Sequence, residues 1–591
     1  MNITINGKEI AFEHGDTVLQ VAKRAGIRIP HLCSLDWAPS PSASCRLCVV
    51  EVEGSPRLQT SCTLQAAEGM KVQTHTPRVM KARRNIVELL VANHPQDCLA
   101  CDRQGACELA ELTREVGVRP RQYAGMKKDQ HLDISSPAIY RDPNKCVLCG
   151  RCVTMCHQIQ GVGAIDFTDR GFRTQVAPGF SAGLNVSGCT YCGQCVRVCP
   201  TGALMERSHV SAVVAALSDP NTVVVAQVAP AVPATLDQER TKHEGVPVML
   251  EHLAAALKRV GFTAVFDTGF TADLTIMEEA NELVERVKTG GVLPMFTSCS
   301  PAWIQYVELH RPDLIPHLST CKSPQQMAGA LIHEIYPKFA GFVAGDGTRG
   351  TKRLVVVSLM PCTAKKFEAE DVGDVEYVLT TRELGALWER FGIDFDSFTD
   401  RAPLDPPFAE ATGAARLFGG TGGVMEAAVR TAATLLGGAA PAGPLPEARG
   451  LDGFKCFNVD VNGITLNLGV INGLGRLPST LPAALSGMHF VEVMSCPGGC
   501  SGGGGQPYNS DMTDVKKRIK RIYEADKKAE VKYSHENKSV AELYEEFLGR
   551  PLGEVSHHLL HRSYTDKSAL TALHGAEADT GAVCAAAEAA A

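Results

Sequence analysis

The stretch CVLCGRCVTMC, Cys146–Cys156, returns further along the chain as CTYCGQCVRVC, Cys189–Cys199, with Pro200 directly behind it. Both read C-x2-C-x2-C-x3-C. Thiolates at these intervals grip a 4Fe-4S cluster with three cysteines from one run and the fourth from its twin. One cluster then takes Cys146, Cys149, Cys152 and Cys199, and the other takes Cys189, Cys192, Cys195 and Cys156. A structural zinc needs a single set of four and leaves the duplication without a reason. The pair predicts a compact two-cluster, ferredoxin-like domain over residues 138–208, and the flanking sequence decides what it serves.

Upstream, the cysteines continue. Of the 22 in the chain, fifteen stand before residue 200. The start, MNITINGKEI, lacks the basic and apolar regions of a signal peptide, and no apolar run approaches the length of a membrane span. A reducing, cytoplasmic setting is therefore expected, in which clustered cysteines are ligands rather than disulfides. ITINGKEIAF alternates about Asn6-Gly7, a hairpin signal, and Asp16 is the expected cap of a helix through Val18 and Ala22. A hairpin followed by a helix predicts a β-grasp domain over 1–78. Cys33, Cys45, Cys48 and Cys62, spaced C-x11-C-x2-C-x13-C, suit a 2Fe-2S cluster there, with zinc as the alternative. After a helix over 80–92 comes HPQDCLACDRQGAC. His94, Cys98, Cys101 and Cys107 form a fourth set, where an imidazole replaces one thiolate of a 4Fe-4S cluster in a small module over 79–118. Zinc fits this spacing nearly as well, and the neighbouring clusters favour iron.

Downstream, the pattern changes. The 591 residues are 45% hydrophobic and 21% charged, with a net charge of -7, which describes an ordinary globular chain of several domains. No domain has the basic excess of a nucleic-acid binder. From Thr222, β-branched runs (222–225, 354–357) alternate with helical stretches (250–260, 277–287), predicting an α/β body with parallel sheets. Neither a dinucleotide fingerprint nor a P-loop is present. Few thiols remain in the body, and three places stand out: Cys299 in FTSCSPAW, Cys362 in MPCTAKKFE, and Cys496 and Cys500 in EVMSCPGGCSGGGGQP. Each follows a strand-like run, where α/β sheets place ligand sites. Singly, each reads as a core residue; beside four electron-carrying clusters they indicate one more metal site.

These three stretches resemble the signature motifs of iron-iron hydrogenases, TSCCPxW, MPCxxKxxE and ExMxCxxGCxxGGGxP. The order of clusters upstream resembles the long form of that family, above all the catalytic subunits of heteromeric NAD(P)-linked enzymes. The resemblance implies a six-iron active cluster, a 4Fe-4S cubane joined to a di-iron unit with CO, cyanide and azadithiolate, within an active-cluster domain over 209–510. It further implies a small-subunit-like helical segment over 511–568; the alanine-rich tail over 569–591 lies outside the resemblance and reads as disordered. Cys362, Cys496 and Cys500 match cubane ligands, Lys365 matches the lysine that pairs with a cyanide, and Met360, Met494, Ser323, Pro324 and Gln325 match the pocket wall. Cys299, Glu279, Ser319 and Glu282 match the proton route. One thiolate is missing, because Ser300 stands where the family has a second cysteine. Ser300, Cys299 and Cys321 in STCKSPQQM are the possible replacements. Cys321 is favoured for its closeness to Ser323, and serine ranks last as a poor soft-metal ligand.

The implied activity is reversible H2 heterolysis, with the distal iron as Lewis acid and the bridging amine as base. Electrons would leave through the clusters to a flavin-bearing, NAD(P)-binding diaphorase and a small 2Fe-2S subunit. Maturation factors would supply the di-iron unit, and neither nucleic acid nor membrane is an expected partner. A stand-alone ferredoxin-dependent hydrogenase, a non-catalytic electron-transfer subunit and a hydrogen sensor are the competing readings.

Overall fold

The computed structural model describes residues 1–35, 37, 42–118, 123, 126–241, 248–348, 350–441 and 443–572. At the N-terminus, β1 (Asn2–Ile5) and β2 (Lys8–Ala11) pair antiparallel across Asn6 and Gly7, whose positive φ values of 55° and 80° permit the tight turn. β3 (Val49–Val52), β4 (Gln59–Thr60) and β5 (Lys71–Gln73) complete a sheet in the order β2-β1-β5-β3-β4. The helix Val18–Arg24 covers this sheet. Its cap is Thr17, whose side chain accepts from the Gln20 N–H in a capping box. Asp16, expected to cap it, is drawn instead to the Arg24 guanidinium at the other end of the helix.

The helix Pro77–Asn93 leads to the His94 loop. Two short antiparallel pairs follow, β6 (Ile139–Arg141) with β9 (Leu204–Glu206), and β7 (Asp166–Thr168) with β8 (Gln175–Ala177). The cysteine runs lie between these strands.

The body holds two four-stranded sheets. β10 (Thr222–Val228), β11 (Ala264–Asp267), β13 (Arg353–Met360) and β14 (Tyr377–Thr380) form an all-parallel sheet in the order β11-β10-β13-β14. Both of its faces are covered, which is why β13 reads as the continuous apolar run LVVVSLM. β12 (Met295–Phe296), β15 (Phe454–Val461), β16 (Ile464–Asn472) and β17 (Phe490–Met494) form the other, in the order β12-β17-β16-β15. Here β15 and β16 pair antiparallel around Asn462-Gly463, so this sheet is mixed rather than parallel. The helix Thr268–Thr289 runs between the cores behind the two sheets.

Past residue 511 the chain folds back as helices Met512–Lys528, Lys538–Leu543 and Glu554–Leu560. Of the tail expected to be disordered over 569–591, residues 573–591 lie outside the described residues; the first four form the short helix Ala569–Ala572. Among the described residues, no helix is long and apolar enough to cross a membrane.

Candidate active site

Twelve of the N-terminal cysteines gather into three groups, and the His94 set follows the helix Pro77–Asn93. Cys33, Cys45, Cys48 and Cys62 sit close enough for their thiols to hydrogen-bond to one another. His94 donates from Nδ1 to the Pro95 carbonyl at 2.7 Å, and its buried Nε2 has no hydrogen-bond partner. That is the tautomer and exposure a metal-ligating imidazole needs, since the bond on one nitrogen aims the other. Cys98 is exposed, and Cys101 and Cys107 are half-buried. Cys146, Cys149, Cys152 and Cys199 line one small cavity, and Cys156, Cys189, Cys192 and Cys195 line another. The fourth cysteine of each run thus stands in the other run's cavity.

These groups touch in a defined order. Ser42 and Ser44, in the loop before Cys45, donate to the Cys149 carbonyl at 2.7 and 3.0 Å. From the His94 module, Arg103 donates to the Cys199 carbonyl at 2.8 Å, and Glu108 takes both nitrogens of the Arg151 guanidinium fork. Both outer groups therefore abut the Cys146–Cys199 cavity. At the far side, Cys192 lines its own cavity and also an apolar cavity of the body.

That body cavity encloses about 850 Å³ free of protein atoms, its mouth included. The strand ends build it, with Cys362 following β13 and Cys496 following β17. Cys500 comes from the glycine loop, and Cys299 and Ser300 from the link between β12 and the helix Pro301–His310. Pro324, Gln325, Met360 and Met494 are in the wall. Ser323 lies behind it and accepts from the Lys365 ammonium at 2.7 Å. Lys365 Nζ also reaches Glu368 Oε2 at 2.7 Å and the Cys299 carbonyl at 3.4 Å. Burial pushes the Cys362 thiol up to about 12 and the Cys500 thiol up to about 11, so both are neutral unless a metal displaces their protons. Three soft thiols, an ammonium and the unpartnered buried Gln325 Oε1 face a space of largely apolar wall. This donor set fits a bulky iron-sulfur group with anionic ligands.

Cys321, the favoured replacement for the missing thiolate, is not part of this cavity. Its sulfur lies 3.9 Å from Glu282 Oε2, and its backbone pairs with His561 from the C-terminal segment. Closeness to Ser323 in sequence does not bring the sulfur to the wall, because Cys321 is packed into the core behind the parallel sheet. Ser300 and Cys299 do line the cavity, and the Ser300 and Ser495 hydroxyls share a hydrogen bond of 2.7 Å.

A polar chain leads away behind Cys299. Burial, then the charges of Glu279 and Glu492, push the Cys299 thiol well up, so it stands as a neutral donor. Glu279 is fully buried. Burial first, and then the neighbouring Glu282 charge, push its carboxyl up to about 8. Neither of its oxygens makes a full hydrogen bond, although the Ser298 N–H and Ser319 hydroxyl face it. Ser319 donates to Glu282 Oε2 at 2.8 Å, and Glu282 Oε1 meets the partly exposed Arg286 guanidinium at 2.6 Å. Sequence reasoning missed Arg286 and Glu368. The i,i+4 spacing of Glu282 and Arg286 and the closing glutamate of MPCTAKKFE were the available signals.

Comparison with known proteins agrees with this geometry. Residues 222–504 match the family described as iron only hydrogenase large subunit, C-terminal domain, and 512–567 match iron hydrogenase small subunit. Upstream, residues 1–77 match a 2Fe-2S iron-sulfur cluster binding domain, 83–122 the NADH-ubiquinone oxidoreductase-G iron-sulfur binding region, and 140–203 a 4Fe-4S dicluster domain. An NADP-reducing hydrogenase subunit from Solidesulfovibrio fructosivorans is 44% identical, over 96% of this chain and all of that one. Iron hydrogenase 1 from Clostridium pasteurianum is 34% identical over 95% of this chain and 99% of its own. A solved FeFe-hydrogenase from Chlamydomonas reinhardtii covers 61% of this chain and 99% of its own length, at 38% identity and a TM-score of 0.52. With such identity from end to end, the chain belongs to the iron-only hydrogenases, oxidoreductases that act on H2.

Proposed function

We propose that this protein is the hydrogen-activating subunit of an NAD(P)-linked complex, with the active group in the Cys299–Cys362–Cys500 cavity and four accessory clusters serving it. The observation that carries the reading is the meeting of Cys299, Lys365, Cys362, Cys496 and Cys500 around one apolar cavity. When bound, the six-iron group supplies the metal that polarises H2 and the amine that accepts its proton. Cys362, Cys496 and Cys500 would hold the cubane. Ser300 takes the fourth corner, because Cys299 is needed beside Glu279 and Cys321 lies in another cluster of side chains. Lys365, fixed by Ser323 and Glu368, offers a point charge to an anionic ligand. Cys299 passes protons to Glu279, and Ser319 and Glu282 carry them on to Arg286.

For the accessory clusters, the reading assigns a 2Fe-2S site to Cys33, Cys45, Cys48 and Cys62, and three 4Fe-4S sites to the remaining groups. The divisions are 1–78, 79–118, 138–208, 209–510 and 511–568. The full-length relative named as an NADP-reducing subunit supports a diaphorase partner, as does the 83–122 match to a dehydrogenase iron-sulfur region.

The test is an infrared spectrum of protein matured and purified without oxygen, recorded under argon and under hydrogen. Sharp CO and cyanide bands that shift under hydrogen are expected. Their absence from cluster-replete, matured protein would overturn the reading. In the same preparation Ser300→Cys should raise the cubane potential, since a hard alkoxide favours ferric iron, and an unchanged potential removes Ser300 from the ligand set.

A further inference from the structure

Cys321 is one corner of a second buried group. Its sulfur, a Glu282 carboxylate oxygen and a His561 ring nitrogen all lie within 4.8 Å of one another. They come from three separate places: the helix Thr268–Thr289, the turn before the helix Pro324–Ala340, and the residue that ends Glu554–Leu560. All three residues are buried. Sulfur, imidazole and carboxylate converging on one point are the donors that zinc-class divalent ions select.

The surroundings supply a second, independent indication. His561 Nε2 faces Glu278 Oε2 at 3.2 Å, and Glu278 is itself held by the Tyr544 hydroxyl at 2.6 Å and the Leu552 N–H at 2.8 Å. A carboxylate fixed behind a histidine in this way sets the tautomer and turns the other nitrogen toward an ion. That nitrogen, Nδ1, meets the Thr320 hydroxyl at 2.8 Å, a contact that a short side-chain rotation releases. The local charge also favours a cation. Glu278 and Glu282 are both buried here, while Arg286 is the guanidinium bonded to Glu282; the adjacent Glu279, held protonated, adds no charge.

We propose that Glu282, Cys321 and His561 form a mononuclear site for a zinc-class divalent cation, distinct from the iron clusters. Binding forms a metal–sulfur bond and releases the Cys321 thiol proton, so affinity rises with pH. The ion also engages Glu282 and withdraws it from proton transfer. This last consequence rests on the proposed function; the site itself does not.

The experiment uses the oxygen-free holoenzyme, whose clusters keep the other cysteines occupied, titrated with zinc ion alone against a chelator buffer. Bound zinc is counted after desalting, its neighbours are read by zinc-edge X-ray absorption, and hydrogen turnover is followed in parallel. The expected result is one tight zinc per chain with a single sulfur neighbour, and a turnover loss at the same zinc concentration that chelator reverses. Cys321→Ser and His561→Gln should each weaken binding about tenfold or more at unchanged iron content. Undiminished binding in both variants, or a spectrum without sulfur, overturns the site. Zinc bound there with turnover intact upholds the site and removes Glu282 from the proton route, so the two readings fail separately.

Discussion

Glu279 is a carboxylic acid kept neutral near physiological pH because it is fully buried and Glu282 crowds it with like charge. Its usual value is 4.5 and its buried value about 8, so between these the native state holds a proton that the unfolded chain has released. The sign follows: stability from this group is complete below pH 4.5 and is lost as pH rises through 8. The same proton is available for delivery below about pH 8 and gone above it. Hydrogen evolution measured with a reduced dye should therefore fall across pH 8, and Glu279→Gln should cut turnover by about 10²- to 10⁴-fold and abolish that break. A Gln variant with wild-type turnover would remove Glu279 from the route. At this scale the sequence was legible where spacing is chemistry: the two C-x2-C-x2-C-x3-C runs, read as exchanging their fourth cysteines, line two cavities in that arrangement, whereas Cys362, Lys365 and Cys500 were picked out by the resemblance of their motifs. It was illegible for Cys321, because two residues of separation from Ser323 do not say which neighbour a sulfur meets. The burial of Glu279 and Glu282 was equally hidden, since an amphipathic pattern leaves acidic residues to solvent until a distant segment covers them.

Among the elements, the glycine loop after Cys500 shows what side-chain absence achieves. A Cβ on Gly504 would lie 2.0 Å from the Cys192 carbonyl oxygen, so only glycine lets this loop rest on the cysteine run of the neighbouring cluster. Gly193 meets Thr363 just as closely from the other side. Gly504→Ala should separate the two loops at a cost of about 1–3 kcal/mol, seen as earlier heat inactivation and faster amide exchange around 189–199. Heat inactivation identical to wild type would show that the contact yields freely. The strands β10 and β13 were legible as β-branched runs and the helices as periodic stretches over 250–260 and 277–287, the second of which begins nine residues earlier, at Thr268, in the structure. The β15–β16 hairpin was not, because its half-exposed strands lack a continuous apolar run, and a mixed sheet resulted where parallel strands were expected.

Across the whole molecule, the segment beyond 511 closes over the proton side of the body. The Tyr564 hydroxyl donates to the Ser319 carbonyl at 2.6 Å, and Lys567 meets the buried Glu308 carboxylate at 2.7 Å. Lys567→Ala leaves that carboxylate short of its cation, a loss of about 1–3 kcal/mol. Hydrogen exchange should then quicken ten- to hundredfold across 554–567 and around Ser319, and unchanged protection would show the strap held elsewhere. The strap also has a consequence in time. Chains fold from the N-terminus as they leave the ribosome, and the segment that packs on Glu278 and Glu282 emerges well after them. Until Tyr544, Leu552 and His561 arrive, the Glu278 carboxylate lacks the three partners that hold it, so the helix Thr268–Thr289 gains its finished setting only after a much later stretch of chain has been made.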